Sequence, residues 1–314
     1  MKSSVRLLTT WLLLGGFVFL TSCTNDDDDA PAPQTLYDLV GAGSDLTLLK
    51  AAIDRAGLAN DLRSGTLTLF APTDAAIQAA GFANAAAIQA ADVNVLRAIL
   101  TYHVQAVETL SSAIPPAANT EITMLSTGKA YVTKAGTAVS INGVRVVRAD
   151  VDAANGVMHV IDKVMLPPAG NLVTMLSNAT LFPNHTYLVA AVTRAAGAVP
   201  TLAAAVNGPG PLTVFAPTNA AFIEAGFPTI AAINAAPATT LAAVLTNHVA
   251  LVRAYSTNLV TGDVATAGAS PITVTVGTPV TLRLKNAGTV TANVTAADFT
   301  ATNGVIHVID KVLR

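Results

Sequence analysis

The feature that most constrains this chain is that it is written twice. Thr66-Leu-Thr-Leu-Phe-Ala-Pro-Thr-Asp-Ala-Ala76 returns as Leu212-Thr-Val-Phe-Ala-Pro-Thr-Asn-Ala-Ala221. Asn155-Gly-Val-Met-His-Val-Ile-Asp-Lys-Val164 returns as Asn303-Gly-Val-Ile-His-Val-Ile-Asp-Lys-Val312. Phe70 and Phe215 lie 145 positions apart, as do His103 and His248, whereas His159 and His307 lie 148 apart. The second copy is therefore three residues longer between these landmarks. A period this long means two whole domains, not a solenoid of small units. We place the first domain at 35–168 and the second at 169–314. The junction Pro167-Pro168-Ala169-Gly170 is too short to let them wander, so a defined mutual orientation is expected.

The repeated residues read first as folding devices. Leu67 and Leu69 alternate with polar neighbours, the signature of a strand. Pro72 holds Ala71 extended, and Thr73 stands where a helix N-cap belongs. Asp74 then puts a negative charge at a helix start, and Gly81 closes the short helix. Phe215, Pro217, Thr218 and Gly226 repeat the pattern. Leu96, Ile99, Leu100 and His103 share one helical face, as do Leu241, Val244, Leu245 and His248. Asn155-Gly156 and Asn303-Gly304 read as turns, each feeding a strand on which His159 or His307 points with the apolar residues. Helical, Ala- and Leu-rich sequence such as Leu46 to Ala56 comes first in the repeat. Val- and Thr-rich strands such as Ala130 to Lys134 and Ile272 to Val276 follow. That order predicts an α+β fold.

Four of the five histidines thus occupy core-like positions. Pairing His103 with His159, and His248 with His307, would offer metal ligands. Zinc asks for three or four N, S or O donors, however, and the chain's one cysteine is Cys23. The favoured reading is neutral, buried imidazoles hydrogen-bonded inside the protein, with no metal and no cofactor. His185, in an Asn-His-Thr stretch, is expected to be exposed.

These blocks, together with a helix ending in Tyr102-His103, resemble the three signature regions of the fasciclin (FAS1) domain. Asn247-His248 matches the middle region with its Tyr replaced. The resemblance covers nearly the whole chain after its N-terminal segment, twice and in order. It implies two tandem domains, each a β-sandwich-like wedge of about seven strands with packed helices. It also implies extracellular adhesion to proteins or glycans. It supplies no transferable binding site, so Phe70, Pro72, Thr73, Tyr102, His103, Asn155, Gly156, His159, Phe215, Pro217, Thr218, His248, Asn303, Gly304 and His307 carry over as structural residues.

The N-terminus points outward from the cytoplasm. Lys2 and Arg6 precede an apolar run from Leu7 to Leu20, too short to span a bilayer, which ends in Leu-Thr-Ser-Cys23. That ending resembles the bacterial lipobox, so residues 1–22 are expected to be removed and Cys23 to carry the lipid. Residues 23–34 then form an acidic tether, in which Asp26 to Asp29 cannot bury apolar surface. A run of this kind after the lipidated Cys is similar to the surface-export signal of some Gram-negative lipoproteins. The expected location is therefore the outer membrane, facing outward.

Charge and motif content narrow the function. There are 17 Lys and Arg, of which Lys2 and Arg6 fall in the leader, against 19 Asp and Glu. Nucleic-acid binding has no basic footprint here. No Gly-x-Ser-x-Gly, His-Glu-x-x-His or phosphate-loop motif occurs, and Asp162 and Asp310 form no obvious dyad with the preceding His. A non-catalytic adhesion or binding module at the cell surface is the leading expectation. A glycan-capture accessory of an uptake system, or a structural envelope component, is the alternative.

Overall fold

Each repeat opens with helices and closes with strands. The first holds α1 (Leu36–Ala42), α2 (Thr47–Ala56), β1 (Leu67–Pro72), α3 (Asp74–Ala79), α4 (Ala85–Ala90) and α5 (Val93–Thr101). Strands β2 (Val104–Gln105), β3 (Thr120–Thr123), β4 (Lys129–Ala135), β5 (Ala138–Ile141), β6 (Val144–Ala153) and β7 (Gly156–Ile161) follow. The second holds α6 (Leu172–Leu176), α7 (Thr186–Ala196), β8 (Leu212–Pro217), α8 (Asn219–Glu224), α9 (Ile230–Ala235) and α10 (Ala238–Thr246). It ends with β9 (Val249–Ala250), β10 (Gly262–Val264), β11 (Ile272–Thr275), β12 (Thr281–Leu284), β13 (Thr291–Ala301) and β14 (Gly304–Ile309). This computed structural model describes residues 33–197, 206–286 and 289–314. The leader, Cys23 and the Asp26–Asp29 run lie outside the described residues. No helix among the described residues is long and apolar enough to cross a membrane.

Both repeats build a seven-stranded sheet of one topology. The order is β2-β1-β7-β6-β5-β4-β3 in the first and β9-β8-β14-β13-β12-β11-β10 in the second. β1 runs parallel to β7, and β8 to β14, while the other neighbours are antiparallel. The parallel pair joins the two repeated sequence blocks, with the rest of the domain as the crossover between them. β7 and β14 are buried along their whole length because both faces are covered. Alternation sorts the side chains: Leu67, Leu69, Met158 and Val160 enter the core under the helices, whereas Phe70 and Ile161 enter a second core inside the sheet.

The long strands β6 and β13 serve both halves of their sheets. Their pairing with β7 and β14 breaks register twice each, which bends the sheet over the inner core. Asp150 (φ 57°) and Asp298 (φ 71°) sit in these breaks. Aspartate tolerates the left-handed region because its short side chain bonds locally.

The caps form as the repeat pattern requires. Thr73 Oγ1 accepts the Ala76 N–H at 3.2 Å, and Thr218 Oγ1 that of Ala221 at 3.3 Å. Asp74 does more than charge its own helix. Its carboxylate accepts the Leu48 N–H at 2.8 Å and the Thr47 hydroxyl at 2.7 Å, capping α2, whose own N-cap residue Leu46 offers no side-chain acceptor. Asn219 does the same for α7 through the Tyr187 N–H at 2.9 Å. His185 is a correction: it is buried rather than exposed, its ring edge-on to Phe182 at 5.3 Å. It holds the N-cap position of α7 that Leu46 holds in α2, so an imidazole fills an apolar slot. Burial pushes its pKa down.

Candidate functional site

The four signature imidazoles are spoken for. His103 follows the end of α5. Its Nδ1–H donates to the Ile99 carbonyl at 2.7 Å and its Nε2 accepts the Met165 N–H at 3.0 Å. His248 repeats this with Val244 at 2.9 Å and Leu313 at 2.9 Å. Each pins the chain after the last strand to the end of a helix. Burial pushes both pKa values down to about 4, so both are neutral at pH 7.

His159 and His307 use the opposite tautomer. The Asp150 N–H, in the strand bulge, donates to His159 Nδ1 at 3.2 Å, and His159 Nε2–H donates to the Thr109 carbonyl at 2.9 Å. His307 ties Asp298 (3.3 Å) to Ala254 (2.8 Å) in the same way, and burial lowers its pKa. Phe70 and Phe215 lie against these rings at 5.5 and 5.6 Å. Each ring has one N–H donated and one lone pair filled, which leaves nothing to bind a metal or move a proton without breaking the fold.

Asn155 and Asn303 are clamps as well as turn residues. Asn155 accepts the Leu36 N–H at 2.8 Å and donates to the Leu62 carbonyl at 3.1 Å. Asn303 accepts the Leu172 N–H at 2.9 Å and donates to the Val206 and Gly208 carbonyls. Gly156 has φ 136°, and a Cβ there would lie 1.9 Å from the Leu67 carbonyl oxygen. Gly304 is crowded by Leu212 in the same way, at 2.5 Å. Pro72 and Pro217 end β1 and β8 beside the last residues of β7 and β14.

The sequence does not announce the joint between the repeats. Tyr102 is buried, donates its hydroxyl to the Lys129 carbonyl at 2.7 Å and accepts Asn142 Nδ2 at 2.9 Å. Asn142 Oδ1 in turn accepts the hydroxyl of Tyr255, from the second repeat, at 3.3 Å. Burial raises the pKa of both phenols, that of Tyr255 to about 12. Arg253 is also buried. Its guanidinium lies 3.8 Å from the centre of the Tyr131 ring and donates to the Gly304 carbonyl at 3.0 Å. The Arg253 carbonyl accepts Asn119 Nδ2 at 2.6 Å, Asn258 donates to Asn119 at 3.0 Å, and Ser140 meets Thr257 at 2.9 Å. In the second repeat, Asn247 replaces Tyr102, and its Oδ1 is buried without a hydrogen-bond partner.

Beside this joint runs a cleft of about 360 Å³ between the repeats. Val144, Val164, Leu166, Met175, Leu181 and Phe299 make most of its wall. Lys163 and Asp298 are the charged groups that line it. Among the described residues no three His, Cys, Asp or Glu side chains stand close enough together to hold a metal.

The fasciclin domain model matches residues 44–167 and again residues 183–314. The chain belongs to the fasciclin family. Transforming growth factor-beta-induced protein ig-h3 of Sus scrofa is 34% identical over 150 residues, 48% of this chain and 22% of that protein. Protein sll1483 of Synechocystis is 34% identical over 143 residues, 43% of this chain and 74% of its own length. Immunogenic protein MPB70 of Mycobacterium bovis is 32% identical over 130 residues, 40% of this chain and 65% of its own. The chain thus spans less than a quarter of ig-h3 and a little under two thirds of MPB70. A solved FAS1 domain pair from the insect cell adhesion molecule Fasciclin I aligns over 85% of this chain and 96% of its own, at 19% identity and a TM-score of 0.39.

The fasciclin signature marks what the two repeats share, and the joint is made where they differ. Arg253 stands where the first repeat has Glu108, and Tyr255 where it has Leu110, both 145 positions earlier. Those exchanges were the available signal. What they meet, Tyr131 and Asn142, lies in a part of the first repeat that carries no motif.

Proposed function

We propose that this protein is a non-catalytic binding module of the cell surface, anchored through a lipid on Cys23 in the outer membrane. It presents two fasciclin domains to an extracellular protein or glycan. The observation that carries the reading is that every signature side chain able to do chemistry is consumed in holding the fold, while the two domains are packed into one unit through Arg253, Tyr255 and Asn142. Such a unit suits recognition across both domains, and its cost in orientational freedom is met on folding rather than on binding. The lipobox-like leader and the acidic run support the anchor and the outward face.

Two measurements test this. Palmitate labelling of the full chain in a Gram-negative host is expected to mark the protein and to be lost in Cys23→Ala; labelling that persists refutes the anchor. An array of glycans and matrix proteins is expected to give saturable binding to one class, weakened when either domain is tested alone. Turnover of an arrayed ligand, or full binding by a single domain, would refute the two-domain binding role.

A further inference from the structure

The cleft between the repeats has walls and a charge that together specify a ligand. Its walls are mostly apolar, and Leu166 and Leu181 remain 52% and 37% exposed there. A volume of about 360 Å³ falls in the range of small-molecule pockets, which favour domain interfaces. Of the two charges, Asp298 is occupied: its carboxylate accepts the Ser256 N–H at 2.7 Å and the Ser256 hydroxyl. Lys163 is different. Its counterpart in the second repeat, Lys311, pairs with Glu224 on α8. The residue matching Glu224 on α3 is Ala79, and Lys163 has no ion pair among the described residues. The same lysine is thus ion-paired in one repeat and, among the described residues, without an ion pair in the other, where it borders the mostly apolar cleft.

We propose that this cleft binds a small anionic amphiphile, a carboxylate on an aliphatic chain. Lys163 takes the carboxylate, and Leu166, Leu181, Met175 and Phe299 cover the chain. A carboxylate can pair with the Lys163 ammonium, which an amine or an uncharged chain cannot do, while the Asp298 carboxylate stays tied to Ser256. The site goes beyond the adhesive role and is argued from the cleft alone.

Residues 34–314 hold every strand, helix and core described and form one compact unit, so the experiment uses that segment. Isothermal titration with hexanoate, octanoate and decanoate is expected to show saturable binding that tightens about fourfold per methylene until the cleft is full. Decylamine is expected to bind about tenfold more weakly than decanoate, and Lys163→Gln to lose about tenfold for decanoate. Ala79→Glu, on an exposed turn of α3, restores the partner that Lys311 has and is expected to cause a similar loss without altering the cleft wall. Leu181→Asp is expected to abolish binding. Circular dichroism checks that each variant is folded. Absence of saturable decanoate binding at millimolar concentration overturns the proposal. So does equal binding of decylamine, or undiminished binding in both charge variants.

Discussion

The buried histidines make stability depend on pH in a calculable way. His103 and His248 have pKa values near 4 in the folded chain against 6.5 for an unperturbed imidazole, because burial penalises the charged ring. The unfolded chain therefore binds more protons between those values. Stability is complete above about pH 6.5 and declines as pH falls toward 4. At about pH 5 an unfolded imidazole is nearly all protonated and a folded one nearly all neutral, a difference worth about 2 kcal/mol per histidine. The pair together removes about 4 kcal/mol, a large part of a typical 5–15 kcal/mol stability. His185 and His307, whose pKa values are lowered for the same reason, act in the same direction. The carboxylates held low by hydrogen bonds, such as Asp150 with Ser111, give up stability only as pH falls below their ordinary range, so the histidines dominate above pH 5. Urea unfolding followed by far-UV circular dichroism at neutral pH and at pH 5 measures the effect. His103→Phe lowers stability at neutral pH, because the Met165 N–H loses its acceptor, but is expected to make the fall between the two pH values smaller by about 2 kcal/mol. Equal stability at both pH values, or an unchanged fall in His103→Phe, would refute the argument.

Three further outcomes follow from the geometry. Gly156→Ala drives a Cβ into the Leu67 carbonyl and is expected to cost more than about 3 kcal/mol, whereas Gly81→Ala, with open space around the Cβ, costs about 1 kcal/mol. The contrast is read from urea midpoints, and equal losses would mean that contact, as opposed to backbone angle, is irrelevant at Gly156. Asp74→Ala removes the cap of α2 and is expected to cost about 1–2 kcal/mol, recovered in large part by Asp74→Asn, since Asn219 performs the same task in the second repeat. No rescue by Asn would show that charge, not hydrogen bonding, sets that cap. Arg253→Ala strips the joint of its contact with Tyr131 and of a buried donor. It is expected to split one unfolding transition into two, visible by calorimetry, while leaving each domain folded. A single unchanged transition would show that the joint does not couple the domains.

Much of this protein is fixed by local sequence. The cap at Thr73, the strand Leu67–Pro72, the closing Gly81 and the order of helices before strands follow from hydrogen-bonding and steric rules that act over a few residues, and the repeat doubles each signal. The core position of the signature histidines was legible too, because they keep step with apolar neighbours. Tertiary structure alone decided what those rings hold. His159 reaches a bulge nine residues away and a carbonyl fifty residues away, and no periodicity encodes either distance. The burial of His185 was hidden for a related reason: its polar neighbours describe the chain beside it, whereas its slot is shaped by Phe182 and by the packing of α7. The joint and the cleft exist only once two folded domains meet. Arg253 is then stacked on Tyr131, and Lys163 has no ion pair among the described residues because the helix carried to its side bears Ala79. Local rules set the elements, while recognition surfaces arise where distant segments share space, and that geometry is written in no single stretch of the chain.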